Sequence, residues 1–187
     1  MKIDRSEILT FEEYEPRREA IRAHAMEEKR TRRVHLGALT FLFENVVTMR
    51  YQVQEMVRAE RMRKPEEIQH EVDTYNEVLG SAGELGCSLL IEITDPQERD
   101  EKLRAWTGLP EHLYVKLEDG RKVRPVYDRR QVGEDRLSSV QYLKFPVGGA
   151  SPVAVGCDLP GIAGEVALTA EQRRALETDL RALMPRR

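Results

Sequence analysis

The sequence predicts an α+β fold: one domain with a largely antiparallel sheet and helices packed mainly on one side. Three observations predict it. Apolar residues recur at a helical period in some segments and alternate in others. The implied order is α, ββ, αα, β, α, then a run of strands, then α, without the βα alternation of a doubly wound sheet. And 187 residues, 40 % hydrophobic and 34 % charged, suit a single domain with a modest core. That domain is expected over 1–187, with an N-terminal helical segment at about 10–31 and an α+β body at about 33–185.

Each element has a local reason. Thr10 with Glu13 is a capping-box pair that opens "FEEYE". Pro16 starts a second helical run to about Lys29, since proline is tolerated in a first turn. "EEKRTRR" places cations at its negative end. In "RVHLGALTFLFE", Gly37 separates two β-rich runs, as a tight hairpin or bulged strand requires. Asn45 can cap a helix from Val46 that ends before Pro65. "PEEIQHEVDTYNEVL" is the next helix, with Pro65 near its start and Gly80 at its end. "CSLLIEIT" is a strand. Asp95, Pro96 and Glu98 combine cap, first-turn proline and capping acid for a helix to Thr107, ended by Gly108. "LYVKLEDGRKVRPVYD" is a hairpin about Asp119-Gly120. "SVQYLKFPV", "PVAVGC" and "EVALT" are further strands, and Thr169 with Gln172 caps a last helix at about 170–183.

Composition narrows the function classes. The 30 basic and 33 acidic residues leave a net charge of -3, which argues against nucleic acid as the main partner. The opening "MKIDRSEILTFEEYE" lacks the roughly 7–15-residue apolar run of a signal peptide. No window approaches the roughly 18 apolar residues of a membrane helix. The two cysteines, Cys87 and Cys157, form no CxxC. A cytoplasmic protein with reduced cysteines is the expectation.

The most informative stretch is "FENVVTMRYQVQEMVRAER". At about 100° per residue, Val46, Met49, Val53, Met56 and Val57 share one arc, and Glu60 falls near its middle. Thr48 and Gln52 flank the arc, and Glu55 lies further round. A carboxylate in a core stripe must be paired, liganded or protonated. Glu60 therefore either lines a pocket with Glu44 or Gln52, pairs with an arginine, or lies where the stripe has left the core. Glu44 ends its strand, either as a site residue or as an acid favoured by the helix dipole. Glu44 and Glu60 are the candidate metal ligands. Glu71 and Tyr75, four apart on the following helix, would join Glu60 if the two helices pack antiparallel.

Other patterns carry less. Glu67 and His70 make a single ExxH, where di-iron bundles need two. "KRTRR" suits a phosphate contact or, better, a solvated helix end. "PVGGASP" lacks a GxGxxG or a Walker lysine, and no serine lies in a GxSxG.

"RRVHLGALTFLFENVVTMRYQVQEMVRAER", "DTYN", "SSVQYLKF" and "GCDLPGIAGEVAL" together resemble a family of uncharacterised bacterial proteins, a domain of unknown function. Its members are often encoded beside rubrerythrin-like proteins and heterodisulfide-reductase-type iron–sulfur proteins. The resemblance implies a polar set here of Glu44, Asn45, Thr48, Gln52, Glu55, Arg58 and Glu60, then Tyr75 and Asn76. Where members often carry histidine this chain has Gln141 and Leu159, which removes two potential metal ligands. Two functions follow as expectations. One is an accessory or interaction protein of a redox or peroxide-related module, with rubrerythrin-like or iron–sulfur partners. The other is a small-molecule enzyme or ligand-binding protein with a carboxylate-lined, metal-binding pocket. No cofactor is specified by the sequence.

Overall fold

The computed structural model describes residues 2–129, 133 and 135–183. In chain order these form α1 (Phe11–Tyr14), α2 (Arg18–Arg30), β1 (Arg33–Leu36), β2 (Leu39–Glu44), α3 (Val46–Ala59) and α4 (Pro65–Asn76). Then come β3 (Glu84–Ile91), α5 (Pro96–Ala105), α6 (Leu109–His112), β4 (Leu113–Leu117), β5 (Lys122–Val123) and β6 (Val140–Pro146). The chain finishes with β7 (Pro152–Cys157), β8 (Gly164–Ala167) and α7 (Ala170–Leu183). Positions 184 and 185, the end of the expected body, lie outside the described residues.

The fold is α+β, and its strand pairs are antiparallel. Among the described residues the strands divide into two sheets, β1-β2-β3-β6 and β5-β4-β7-β8, where the sequence suggested one. The expected hairpin at Asp119-Gly120 forms, but its second arm is only Lys122–Val123. Pro125 has no N–H to donate, so the ladder stops. Val126 instead bridges to Lys144 of β6 in the other sheet.

Alternation along each strand decides what each face does. In the first sheet, Leu39, Phe41, Phe43, Leu85, Cys87, Leu89, Leu143 and Phe145 face inward. They meet Leu113, Val115, Leu117, Val155 and Cys157 of the second sheet in one apolar cluster. Phe145 packs against Phe41 and Phe43, with ring centroids 6.5 and 6.2 Å apart. Leu103 of α5 and Leu176 and Leu180 of α7 extend this core. Cys87 and Cys157 are buried free thiols, one in each sheet. The opposite face of the first sheet carries Thr40, Leu42, Glu44 and Ser88.

α3 lies between α2 and α4. Met49, Val53 and Val57 of α3 pack with Val72 of α4, with Val78 and Leu79 beyond it, and with Ile3, in a second cluster. Two side-chain amides strap the N-terminal segment to these helices. Asn76 accepts from the Ile3 N–H at 2.8 Å and donates to its carbonyl at 2.9 Å. Gln54 does the same for Leu9, at 2.8 and 3.0 Å. Each amide acts as a strand partner would.

The chain after α4 presses hard on β3. A Cβ at Gly86 would lie 2.1 Å from the Val78 carbonyl oxygen, and one at Gly80 would lie 2.3 Å from that of Glu84. Backbone meets backbone there, which glycine alone permits. No helix among the described residues is long and apolar enough to cross a membrane.

Candidate functional site

The polar residues singled out in the sequence separate into distinct places, chiefly because α3 holds its two ends apart. Its 14 residues span about 21 Å. Glu44 and Asn45 stand at one end and Glu60 at the other, so Glu44 and Glu60 do not share a ligand. Among the described residues no cluster of three or more His, Cys, Asp or Glu is arranged to hold a metal ion.

At the first end, Asn45 caps α3. Its side chain accepts from the Thr48 N–H, and Thr48 Oγ1 accepts from the Asn45 N–H, both at 3.0 Å. The Thr48 hydroxyl donates to Glu44 at 2.6 Å, and that of Ser88 on β3 donates to the other carboxylate oxygen at 2.8 Å. Glu44 is 6 % exposed. Burial pushes its pKa above the usual glutamate range. The two hydroxyls, with Lys29 and Arg33, pull the other way, and burial prevails. Beside it Arg32, also 6 % exposed, holds Asp179 of α7 through two bonds of 2.7 and 2.9 Å and Glu28 of α2 at 2.6 Å. Asn45 donates to Glu28 at 2.9 Å. Arg32 thus ties α2 to α7, and Asn45 joins the start of α3 to the same group through Glu28. In the same basic window Arg30 binds Glu27 and Glu171. Glu44, Asn45 and Asp179 line a cavity of about 130 Å³, with Val46, Leu79 and Leu183 among its apolar walls. It has room for a small ligand of a few atoms beside a carboxyl group.

At the other end, α3 and α4 bring Gln52 beside Tyr75, with Glu60 and Glu71 near the phenol. Glu60 itself is exposed and forms the C-cap of α3, because the apolar stripe ends at Val57. Burial, Glu71 and Glu60 push the Tyr75 pKa up, while Gln52 opposes them. Tyr75 opens onto a groove of about 540 Å³ between α4, β6 and the segment at Val126. Tyr127 and Tyr142 line it, with Glu71, Glu77, Asp128 and Lys144. Burial raises the pKa of Tyr142 and Tyr127, so all three phenols stay neutral at physiological pH.

Three remaining candidates serve the helix layer. Glu55 accepts from Tyr14 at 2.5 Å and from Arg18 at 2.9 and 2.8 Å, and Arg18 holds its pKa below the usual range. Arg58 pairs with Glu15. Asn76 holds Ile3.

A further network lies on the second sheet, where sequence spacing gave no signal. Asp158 accepts from Arg124 and contacts His112 Nδ1 at 2.9 Å, and its pKa falls to about 2, Arg124 being the larger cause. Tyr114 lies flat over Gly156, where a Cβ would come 2.2 Å from its ring. Lys122 sits 4.1 Å above that ring. The partners are 34 to 46 residues apart along the chain, and only the β4–β7 pairing brings them together.

The comparisons agree with this architecture. A crystal structure of a novel protein of unknown function from Burkholderia pseudomallei K96243 superposes with a TM-score of 0.88 at 27 % identity. It covers 96 % of this chain and all of its own. No curated protein matches the chain. A family model described as a protein of unknown function, DUF3501, matches residues 2–180, in keeping with the resemblance to an uncharacterised domain. The chain belongs to that family.

Proposed function

We propose that the protein is a non-catalytic accessory protein whose groove beside Tyr75 receives a lysine- or arginine-bearing segment of a partner protein. One observation carries this: Tyr75, Tyr127 and Tyr142 line a single groove with the carboxylates of Glu71, Glu77 and Asp128. Aromatic faces attract cations, and acidic neighbours add to that attraction. The groove's volume falls within the usual range for ligand sites, about 300–1,000 Å³. Lys144, the one cation lining the groove among the described residues, sits at the Val126 bridge and gives an anionic ligand less support.

The resemblance supplies the first partners to try, rubrerythrin-like and iron–sulfur redox proteins in a cytoplasmic module. The test is fluorescence anisotropy with labelled arginine-rich and glutamate-rich peptides. The arginine peptide should bind, and the glutamate peptide should not. Replacing Tyr75 and Tyr142 together by alanine should weaken binding about tenfold or more, for cation–π contacts worth up to ~2 kcal/mol. Equal binding of both peptides would refute the reading. Co-purification with the redox proteins tests the module separately.

A second reading has its own observation. Glu44, buried and raised in pKa beside a small cavity, has the environment of a proton donor or acceptor in an enzyme. Under that reading a small ligand should protect the protein from heat in the wild type but not in Glu44→Gln.

A further inference from the structure

A third cavity lies away from both of these places. It occupies about 380 Å³ between the N-terminal segment, α2 and α3. Its walls are apolar: Leu9, Ile21, Ala25, Val47 and Tyr51. Ala25 and Tyr51 are buried at its floor. Four polar side chains stand on its lining, Glu7, His24, Arg50 and Gln54, the last bonded to the Leu9 backbone. Arg50 Nη1 holds the Glu7 carboxylate at 3.1 Å in a pair more than a third exposed.

We propose that this cavity binds a free amphipathic carboxylic acid, its alkyl chain along α2 and its carboxylate on Arg50. Volume and lining suit a small apolar body. The charges select the head group. Arg50 is the guanidinium on the lining, and a guanidinium binds a carboxylate through two parallel bonds. Glu7 marks the position, because a carboxylate already occupies it. The ligand's head replaces Glu7 on Arg50, and the segment bearing Glu7 stays anchored by Gln54 at Leu9.

The experiment is isothermal titration with hexanoate, octanoate and decanoate below their micelle concentrations, beside octanol and octylamine. Octanoate should bind saturably at one site. Affinity should rise about fourfold per added methylene until the cavity is full, as burial of about 0.8 kcal/mol per CH₂ requires. Octanol and octylamine should bind at least about tenfold more weakly, the loss of one charge-assisted contact. Arg50→Gln should abolish the preference for the acid over the alcohol. Glu7→Gln should tighten octanoate by removing its competitor. Ala20→Leu fills the cavity from an exposed helix position, so it should weaken binding without unfolding the protein. Octanol binding as well as octanoate would overturn the proposal, as would non-saturable uptake or unchanged affinity in Ala20→Leu. Sedimentation with vesicles containing decanoate, without binding of the free acid, would assign the face to a membrane surface and overturn it too.

Discussion

Replacing Asn76 by alanine should cut the N-terminal segment loose at its first anchor. The side chain makes two hydrogen bonds to Ile3, both buried. Each is worth about 0.5–1.5 kcal/mol net, so the pair amounts to about 1–3 kcal/mol. If the segment stays docked, the Ile3 N–H and carbonyl are left buried without partners, which costs at least as much. If it lifts, those groups regain water and the Ile3 side chain leaves the helix cluster, forfeiting about 1.5–3 kcal/mol of burial. The cheaper route sets the result, and both lie near 2–3 kcal/mol. In a domain of this length that lowers Tm by about 2–4 °C per kcal/mol. Native-state hydrogen exchange separates the routes. Exchange at Ile3 should accelerate in either case, while Leu9 remains protected by Gln54. The double variant with Gln54→Ala should lose less than the sum of the singles, because one segment carries both anchors. A loss under about 0.5 kcal/mol with Ile3 still protected would refute the argument.

Three further outcomes are expected. Gly86→Ala forces a methyl against the Val78 carbonyl at 2.1 Å and should lose about 1–3 kcal/mol, read as a lower urea midpoint. Glu44→Gln tests linkage. Because the folded pKa is raised, the wild-type carboxyl's relative contribution is fully present below the unfolded value, near 4.5. It is lost as pH rises through the folded value, so the balance of stability should move toward the glutamine variant over that window. Glu60→Ala, at an exposed cap, should change stability by less than about 0.5 kcal/mol and leave the metal content of protein purified without chelator unchanged.

Local chemistry was legible in the chain. Thr10 with Glu13, Asn45, Asp95 with Glu98 and Thr169 with Gln172 all cap the helices they announce. These partners lie three residues apart, so spacing alone reveals them. Long-range partners are silent. Nothing near Asn76 points to Ile3, 73 residues away. Nothing near Arg32 points to Asp179, 147 residues away. The division of strands into two sheets was hidden for the same reason. β6 follows the β4–β5 hairpin yet pairs with β3. Periodicity placed Glu60 on the apolar arc, but a helical wheel has no length axis. It does not show that the packing ends one turn earlier, at Val57. The neighbourhood of Glu60 and Tyr75 did follow from the helix faces once α3 and α4 were paired.

The two thiols can serve as clocks for the folded state. Cys87 is 0 % and Cys157 1 % exposed, and each belongs to a different sheet. A thiol reagent reaches either one only when its surroundings open, so alkylation rates count opening events in water without denaturant. Equal rates at the two positions would mean that the sheets come apart as one cooperative unit. A faster rate at Cys157 would mean that the second sheet opens by itself, with the first still closed around Cys87. Single Cys→Ala variants, each keeping one thiol, make that comparison with no label attached to the protein beforehand.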